Sequence, residues 1–216
     1  CKAIRDAGYA GIEIAPFTLA EHLDDISPGR RRELRDIMRS EGIQFVGLHW
    51  VLITPKWLHL TTTDRAVRRR SWDYFLKLID FCSDLGEGIM VLGSPKQRST
   101  QGSTIAEAVK YLKEGLARVA PHAGERGATI LIEPLPRRDT DVVNTLDEAV
   151  RIAEEIRHPA VQTVFDFHNS VDEHEPLDAL VKRHFGRIRH VHVNEMDGRH
   201  PGTGNFDFLP VFQTLV

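Results

Sequence analysis

Three side chains that commonly bind divalent cations each follow a largely apolar run of residues. Glu133 follows ATILI, Asp166 follows VQTVF, and His192 follows IRHV. Oxygen-rich coordination with a single histidine suits Mn²⁺, Mg²⁺ or Co²⁺, and Zn²⁺ is a further candidate. Each residue could instead simply close a strand, by capping a helix or by facing water. Because three successive apolar runs end in this way, one shared metal site is the better interpretation.

The elements that must position these residues alternate regularly along the chain. Capping residues and apolar periodicity predict six helices, at Lys2–Ala7, Pro28–Glu41, Asp64–Leu85, Ser103–Glu125, Leu146–Ile156 and Pro176–His184. Each helix is followed by a short apolar segment: AGIEIAP, IQFVGLHW, GIMVLGSP, ATILIEPL, VQTVFDFH and IRHVHVNE. Apolar character that is continuous, rather than alternating, predicts parallel strands buried on both faces.

Parallel strands joined by helical crossovers form either a closed barrel or an open, doubly wound sheet. No GxGxxG or GxxxxGK[ST] motif follows a strand, which removes the strongest reason to expect a nucleotide-binding open sheet. Polar residues instead follow the apolar segments: Glu13, His49, Ser94, Glu133, Asp166 and His192. A TIM (β/α)8 barrel gathers such groups at one rim. We therefore predict one α/β barrel domain over 1–216, with the first and last barrel strands missing.

Composition limits the classes of partner. The 216 residues are 41% hydrophobic and 27% charged, and the net charge of −3 offers no basic surface for nucleic acid. The longest apolar runs fall short of the roughly 20 residues that a membrane helix needs. Two cysteines leave little scope for a disulfide framework and predict a reducing, cytoplasmic location. Since the chain lacks an initial methionine and ends in a helical pattern, we expect native material to be missing at both ends.

Three segments also carry a family resemblance: LIEPLPRRDTDVVNTLDEAV, VFDFHNSVDEHEP and HVHVNEMDGRHPGTGNFDF. With GYAGIEIAP, GLHW and DLGEGIMVLGSPKQRS, they resemble the xylose isomerase-like barrels of sugar and sugar phosphate isomerases and epimerases. In that family one divalent metal ion is held by Glu, Asp, His and a final Glu. The first three correspond to Glu133, Asp166 and His192. The resemblance places the final Glu on an eighth strand, which we expect this chain not to contain.

The resemblance implies a metal-dependent isomerase or epimerase that acts on a small-molecule sugar. Such a reaction begins with removal of a proton from the carbon next to a carbonyl, and the developing enediolate must be stabilised. Family members use two opposed glutamates as base and acid, and Glu133 corresponds to one of them. General acid–base catalysis typically contributes about 10²–10⁴-fold. Relatives are often dimers or tetramers, so a homo-oligomer is a further expectation.

The DFHN segment offers two candidates for substrate binding. Family spacing favours Asn169, three residues after Asp166. Strand alternation instead places His168 on the same side as Asp166. Both remain candidates, and capping of the following turn is the alternative role of Asn169.

The loops after two later strands offer further candidates. Asp139 stands where relatives carry an acid that contacts sugar hydroxyls. Arg199 resembles a substrate-contacting arginine, although its spacing from His192 is shifted by one residue. Glu195 is a candidate to orient His192 or a sugar hydroxyl.

Two earlier strand ends complete the predicted site. His49 precedes Trp50, and this pair forms either an aromatic wall for a sugar or part of the packed core. Ser94, Lys96 and Arg98 lie in GSPKQR, which either grips a phosphate or carboxylate or forms a solvated turn. A phosphorylated substrate therefore stays among the alternatives.

Three rival functions remain. An apurinic-site endonuclease shares the barrel but uses a zinc cluster, which needs a histidine on the strand that here ends GSP. A lyase or hydratase acting on a keto-sugar or keto-glycoside would share the enolate chemistry. A non-catalytic barrel would retain only sugar binding.

Overall fold

Six parallel strands form one sheet in the computed structural model, which describes residues 1–216. The strands are β1 (Gly11–Ile14), β2 (Gln44–Leu48), β3 (Gly88–Leu92), β4 (Ala128–Ile132), β5 (Val161–Asp166) and β6 (Ile188–His192). Their order in the sheet is their order in the chain, and each neighbouring pair is parallel. A doubly wound sheet reverses its strand order at a switch point. This continuous order is instead that of a barrel wall.

Five helices connect successive strands, and one further helix lies before the first strand and one after the last. They are α1 (Lys2–Asp6), α2 (Pro28–Ser40), α3 (Arg65–Leu85), α4 (Ile105–Glu125), α5 (Leu146–Ile156), α6 (Leu177–His184) and α7 (Leu209–Leu215). Short 3₁₀ turns occupy Pro16–Thr18, Leu23–Asp25, Pro95–Gln97 and His168–Asp172. The six helices predicted from the sequence lie within two residues of their expected limits. None of the helices combines the length and the apolar composition required to span a bilayer.

Side-chain caps explain where three of these helices begin. The Asp64 carboxylate accepts hydrogen bonds from two backbone amides in the first turn of α3. Thr104 and Glu107 form a reciprocal capping box at the start of α4. Thr145 accepts a hydrogen bond from the Glu148 amide in α5. Because each cap satisfies amides that have no partner within the helix, each contributes about 0.5–2 kcal/mol.

The inner face of the sheet changes from apolar to polar towards the carboxyl ends of the strands. Val91, Leu131 and Val164 are fully buried and form a cluster separate from the main helix–sheet core. Val91 and Leu131 are register partners on adjacent strands. Since side chains alternate along a strand, Glu133 and Asp166 lie two residues further on the same face. The fold therefore places both carboxylates directly above an apolar layer.

Close packing of α3 against α4 depends on Gly115. A Cβ at this position would lie 1.8 Å from the Trp72 ring. We expect Gly115→Ala to lower the free energy of unfolding by about 1–3 kcal/mol, because the overpacking outweighs the better helix propensity of alanine. Urea unfolding followed by circular dichroism measures the change. Gly29→Ala is the matched control, since its Cβ would meet no atom closer than 3.7 Å; equal effects would contradict the packing argument.

Candidate metal and substrate site

Glu133, Asp166 and His192 converge at the carboxyl ends of β4, β5 and β6. One donor atom from each residue lies within 4.8 Å of the donor atoms of the other two. His192 Nδ1 lies 3.2 Å from Asp166 Oδ2 and 3.6 Å from Glu133 Oε1. Asp166 and His192 are register partners across β5 and β6, which accounts for their closeness. The three side chains that the sequence singled out thus surround one point.

The charges around this point favour a bound cation. Glu133 and Asp166 are only 3% and 9% exposed, and His192 is the one basic side chain within 4.0 Å of either carboxylate. Burial disfavours the imidazolium form, but hydrogen bonds to Asp166, Glu13 and Glu133 outweigh burial and raise the pKa of His192 to about 12. Buried carboxylates need a compensating positive charge. Two carboxylates and one imidazole fit a divalent metal ion as donors.

Asn169 holds both carboxylates in place. Its Nδ2 donates to Glu133 Oε1 at 3.2 Å, and its backbone amide donates to Asp166 Oδ1 at 3.1 Å. The 3₁₀ turn at His168–Asp172 directly follows β5 and brings the residue to this position. The turn has no side-chain cap, so the Asn169 side chain contacts the cluster directly instead of capping the turn.

A cavity of about 1130 Å³ opens above the cluster. Six of the residues predicted to bind substrate line it: His49, Ser94, Lys96, Asp139, His168 and Asn169. The rings of Trp50 and Trp57 also line it, and these residues are 51% and 38% exposed. Trp50 adopts a positive φ of 53°, a conformation that is uncommon outside glycine and is found at functional sites. Exposed aromatic faces beside a polar cluster suit a sugar, which has apolar C–H faces and polar edges.

A family model described as a xylose isomerase-like TIM barrel matches residues 1–216. The chain belongs to this family. The match confirms the resemblance seen in the sequence. A crystal structure of D-psicose 3-epimerase in the presence of D-fructose superimposes with a TM-score of 0.86 at 21% identity, covering 99% of this chain and 73% of the other. This likeness confirms the predicted barrel fold, of which the chain forms six strands.

Named relatives of this xylose isomerase-like barrel are sugar epimerases. The L-ribulose 3-epimerase of Mesorhizobium japonicum is 24% identical over 226 residues, covering 100% of this chain and 70% of the relative. The ketose 3-epimerase of Arthrobacter globiformis is 25% identical over 159 residues, covering 72% of this chain and 54% of the relative. The chain thus spans between about half and 70% of the length of these two proteins.

Three residues predicted to bind substrate in this barrel lie outside the cavity. Arg98 is fully buried and donates to the carbonyls of Leu92 and Glu133, at 3.4 and 2.5 Å, so its guanidinium joins strand ends rather than facing an anion. The Glu195 carboxylate accepts from the Gly202 amide at 2.8 Å and organises its own loop. Exposed Arg199 is paired with Asp197. The side chains of Arg98 and Glu195 form hydrogen bonds with backbone groups, and Arg199 forms an ion pair with a neighbouring acid.

His168 lines the cavity with a ring that already has partners. Its Nδ1 lies 2.9 Å from the Met196 carbonyl oxygen, and its Nε2 lies 3.1 Å from a guanidinium nitrogen of Arg138. Its backbone amide donates to Asn194 Oδ1 at 2.8 Å. Asn194 also lines the cavity, and the sequence motifs had not identified it. Hydrogen bonds therefore join the loop that follows β5 to the loop that follows β6, beside the cluster.

Glu13 on β1 is the other residue that the predicted site omitted. Its carboxylate contacts His190 and lies 3.3 Å from His192 Nε2 and 3.8 Å from His49 Nδ1. Burial alone would raise the pKa of Glu13, but hydrogen bonds from His190 and His192 outweigh it, so the pKa is lowered. The sequence did place Glu13, in the segment GIEI, among the polar residues at the ends of apolar strands, and this was the one signal that could have included it in the site. The motifs gave no reason to connect β1 with β6.

Gly93 leaves the space that the Glu133 carboxylate fills. A Cβ on Gly93 would lie 2.0 Å from Glu133 Oε2. Because this contact is the mobile end of a side chain, Gly93→Ala should displace the carboxylate while leaving the fold intact. We expect the affinity for Mn²⁺ to fall by about 10–100-fold, the usual cost of disturbing the surroundings of a ligand. Titration calorimetry measures it; Gly186→Ala, which introduces a Cβ into open space, is the control. Equal affinities in both variants would contradict this role.

Proposed function

We propose that the complete protein is a divalent-metal-dependent epimerase or isomerase of ketoses. The observation that carries the proposal is the convergence of Glu133, Asp166 and His192 within 4.8 Å at the carboxyl end of the sheet. Relatives named as ketose and L-ribulose 3-epimerases support this class of substrate. Membership of the xylose isomerase-like family supports the class of reaction.

These three residues would hold the metal ion through two carboxylates and the Nδ1 atom of His192. When bound, a divalent ion supplies positive charge that stabilises an enediolate developing on the substrate. The remaining requirement is a base within reach of the carbon next to the carbonyl. The chain must provide that base from the same cluster.

Glu133 is the proposed base. Its carboxylate is 3% exposed at the bottom of the cavity, and Asn169 fixes the direction of Oε1. A fixed carboxylate that is shielded from water can accept a proton without first reorganising a hydration shell. Inverting a stereocentre requires the proton to return from the opposite face of the sugar. The family resemblance assigns that task to a glutamate on a further strand.

One relative supports a second candidate substrate class, a keto-glycoside or another substituted ketose. This relative is named 3-dehydro-D-guloside 4-epimerase from Escherichia coli. Elimination or hydration of such a substrate would begin with the same proton abstraction. Release of water or an aglycone would identify that reaction.

Substitution of Glu133 tests the proposed chemistry. We expect Glu133→Gln in the complete protein, with Mn²⁺ in deuterated water, to slow deuterium incorporation next to the carbonyl by at least about 10²-fold, because the amide cannot accept the proton. Mass spectrometry of a panel of free and substituted ketoses measures the incorporation. Glu154→Gln, which alters an exposed ion pair with Arg187, is the control. Exchange at the wild-type rate would remove Glu133 from the mechanism.

Metal stoichiometry separates the epimerase from a zinc-cluster nuclease. The protein contains two groups of three side chains able to hold an ion, and both groups use His192. Because they share this ligand, we expect about one ion per complete chain. Elemental analysis after equilibration with Mn²⁺ or Zn²⁺ measures the ratio; two or three tightly bound ions would favour the nuclease. Oligomeric state and a cytoplasmic location stay predictions from the sequence.

A further inference from the structure

Glu13 and His192 meet although their strands lie at opposite ends of the strand order. Glu13 belongs to β1 and His192 to β6, and Glu13 Oε2 lies 3.3 Å from His192 Nε2. The register of β1 against β2 shifts between Ile12 and Glu13. Irregularities of this kind redirect side chains, and they are common next to active sites. The contact therefore crosses the interior of the curved sheet.

The two nitrogens of the His192 ring face different groups. Nδ1 lies 3.2 Å from Asp166 Oδ2 and 3.6 Å from Glu133 Oε1, on the side of the candidate metal site. Nε2 faces Glu13 on the other side. A neutral imidazole carries one N–H donor and one free lone pair. Both nitrogens face carboxylates, but a cation bound at Nδ1 would use the lone pair of that nitrogen. The N–H of the neutral ring would then lie on Nε2, towards the Glu13 carboxylate, which can only accept.

We propose that Glu13 is a positioning residue that holds His192 with Nε2–H towards β1 and the Nδ1 lone pair towards the metal ion. The proposal rests on the proposed function only in requiring a divalent cation at the cluster. Carboxylates that accept the second N–H of a metal-binding histidine fix its tautomer and ring orientation. Glu13 acts through His192, and no contact with substrate is required of it.

His190 stabilises the position of Glu13 itself. The second carboxylate oxygen, Oε1, contacts His190 Nε2, so each oxygen of Glu13 has its own histidine partner. His190 lies two residues before His192 on β6 and therefore faces the same side of the sheet. This double contact restricts rotation of the carboxylate. It also makes a purely structural role conceivable, in which Glu13 only joins β1 to β6.

Measuring the affinity for Mn²⁺ distinguishes a role of Glu13 in positioning His192 from a role in only joining β1 to β6. In the complete protein, stripped of metal and titrated with Mn²⁺ alone, we expect Glu13→Ala to weaken binding by about 10–100-fold. Glu13→Gln keeps an oxygen that can accept the N–H, so part of the affinity should return. His190→Ala removes the second contact but leaves Glu13 and His192 together, and a smaller loss is expected. Glu41→Ala, which removes a carboxylate paired with Arg5, is the control for loss of a glutamate elsewhere.

The tautomer of His192 provides a second readout that a joining role would not change. Nitrogen-15 NMR of the complete protein with diamagnetic Mg²⁺ should show the proton on Nε2 in the wild type and a mixed or reversed tautomer in Glu13→Ala. Thermal unfolding of each variant checks folding, and near-isosteric Glu13→Gln provides the test if Glu13→Ala does not fold. A proton on Nδ1 in the metal-bound wild type would overturn the proposal.

The affinity measurement is made without a sugar, so its outcome is independent of the reaction. Wild-type Mn²⁺ affinity in both Glu13 variants, together with deuterium exchange into a ketose, would overturn the role of Glu13 and leave the proposed function standing. Weakened affinity in the Glu13 variants, without exchange into any ketose, would support the role of Glu13 and reject the proposed function.

Discussion

Two carboxylates buried beside one imidazole are the constraint on which the rest of the site depends. Glu133 and Asp166 are almost inaccessible to water, and no lysine or arginine side chain lies within 4.0 Å of either carboxylate. Moving an unpaired charge out of water costs several kcal/mol, so the arrangement is stable only with a positive charge among the three side chains. Hydrogen bonds to the carboxylates raise the pKa of His192, which favours its positively charged form, and a divalent cation would replace that charge. The chemistry proposed for the protein follows from that replacement.

The scaffold keeps this unfavourable cluster in place through its apolar surroundings. Val91, Leu131 and Val164 close the interior below it, and the main core between helices and sheet lies behind the strands. Arg98 is fully buried beside them and donates to the Leu92 and Glu133 carbonyls. Rigid strands therefore carry the three charged side chains, as expected for groups that need fixed geometry.

The loops around the cluster supply further side chains that line the cavity. Trp50 and Trp57 lie between β2 and α3, and Lys96 lies between β3 and α4. At 21% identity and a TM-score of 0.86, this barrel and a D-psicose 3-epimerase share a fold through largely different residues. Folds of this kind host different activities by changing loops on a constant framework. Under the proposed function, substrate choice would be a property of the loops, whereas proton abstraction would be a property of the strands.

The sequence by itself determined the order of helices and strands, the barrel class, and the meeting of Glu133, Asp166 and His192. These follow from local rules, since apolar runs set the strands and residues ending consecutive parallel strands share one rim. Only the tertiary structure decided that Glu13 reaches His192, that Arg98 is buried and bonds to the Glu133 carbonyl, and that Glu195 organises its own loop. Those outcomes depend on the curvature of the sheet and on competition among polar side chains that are distant in the chain. The spacing of residues along one segment predicts neither of them.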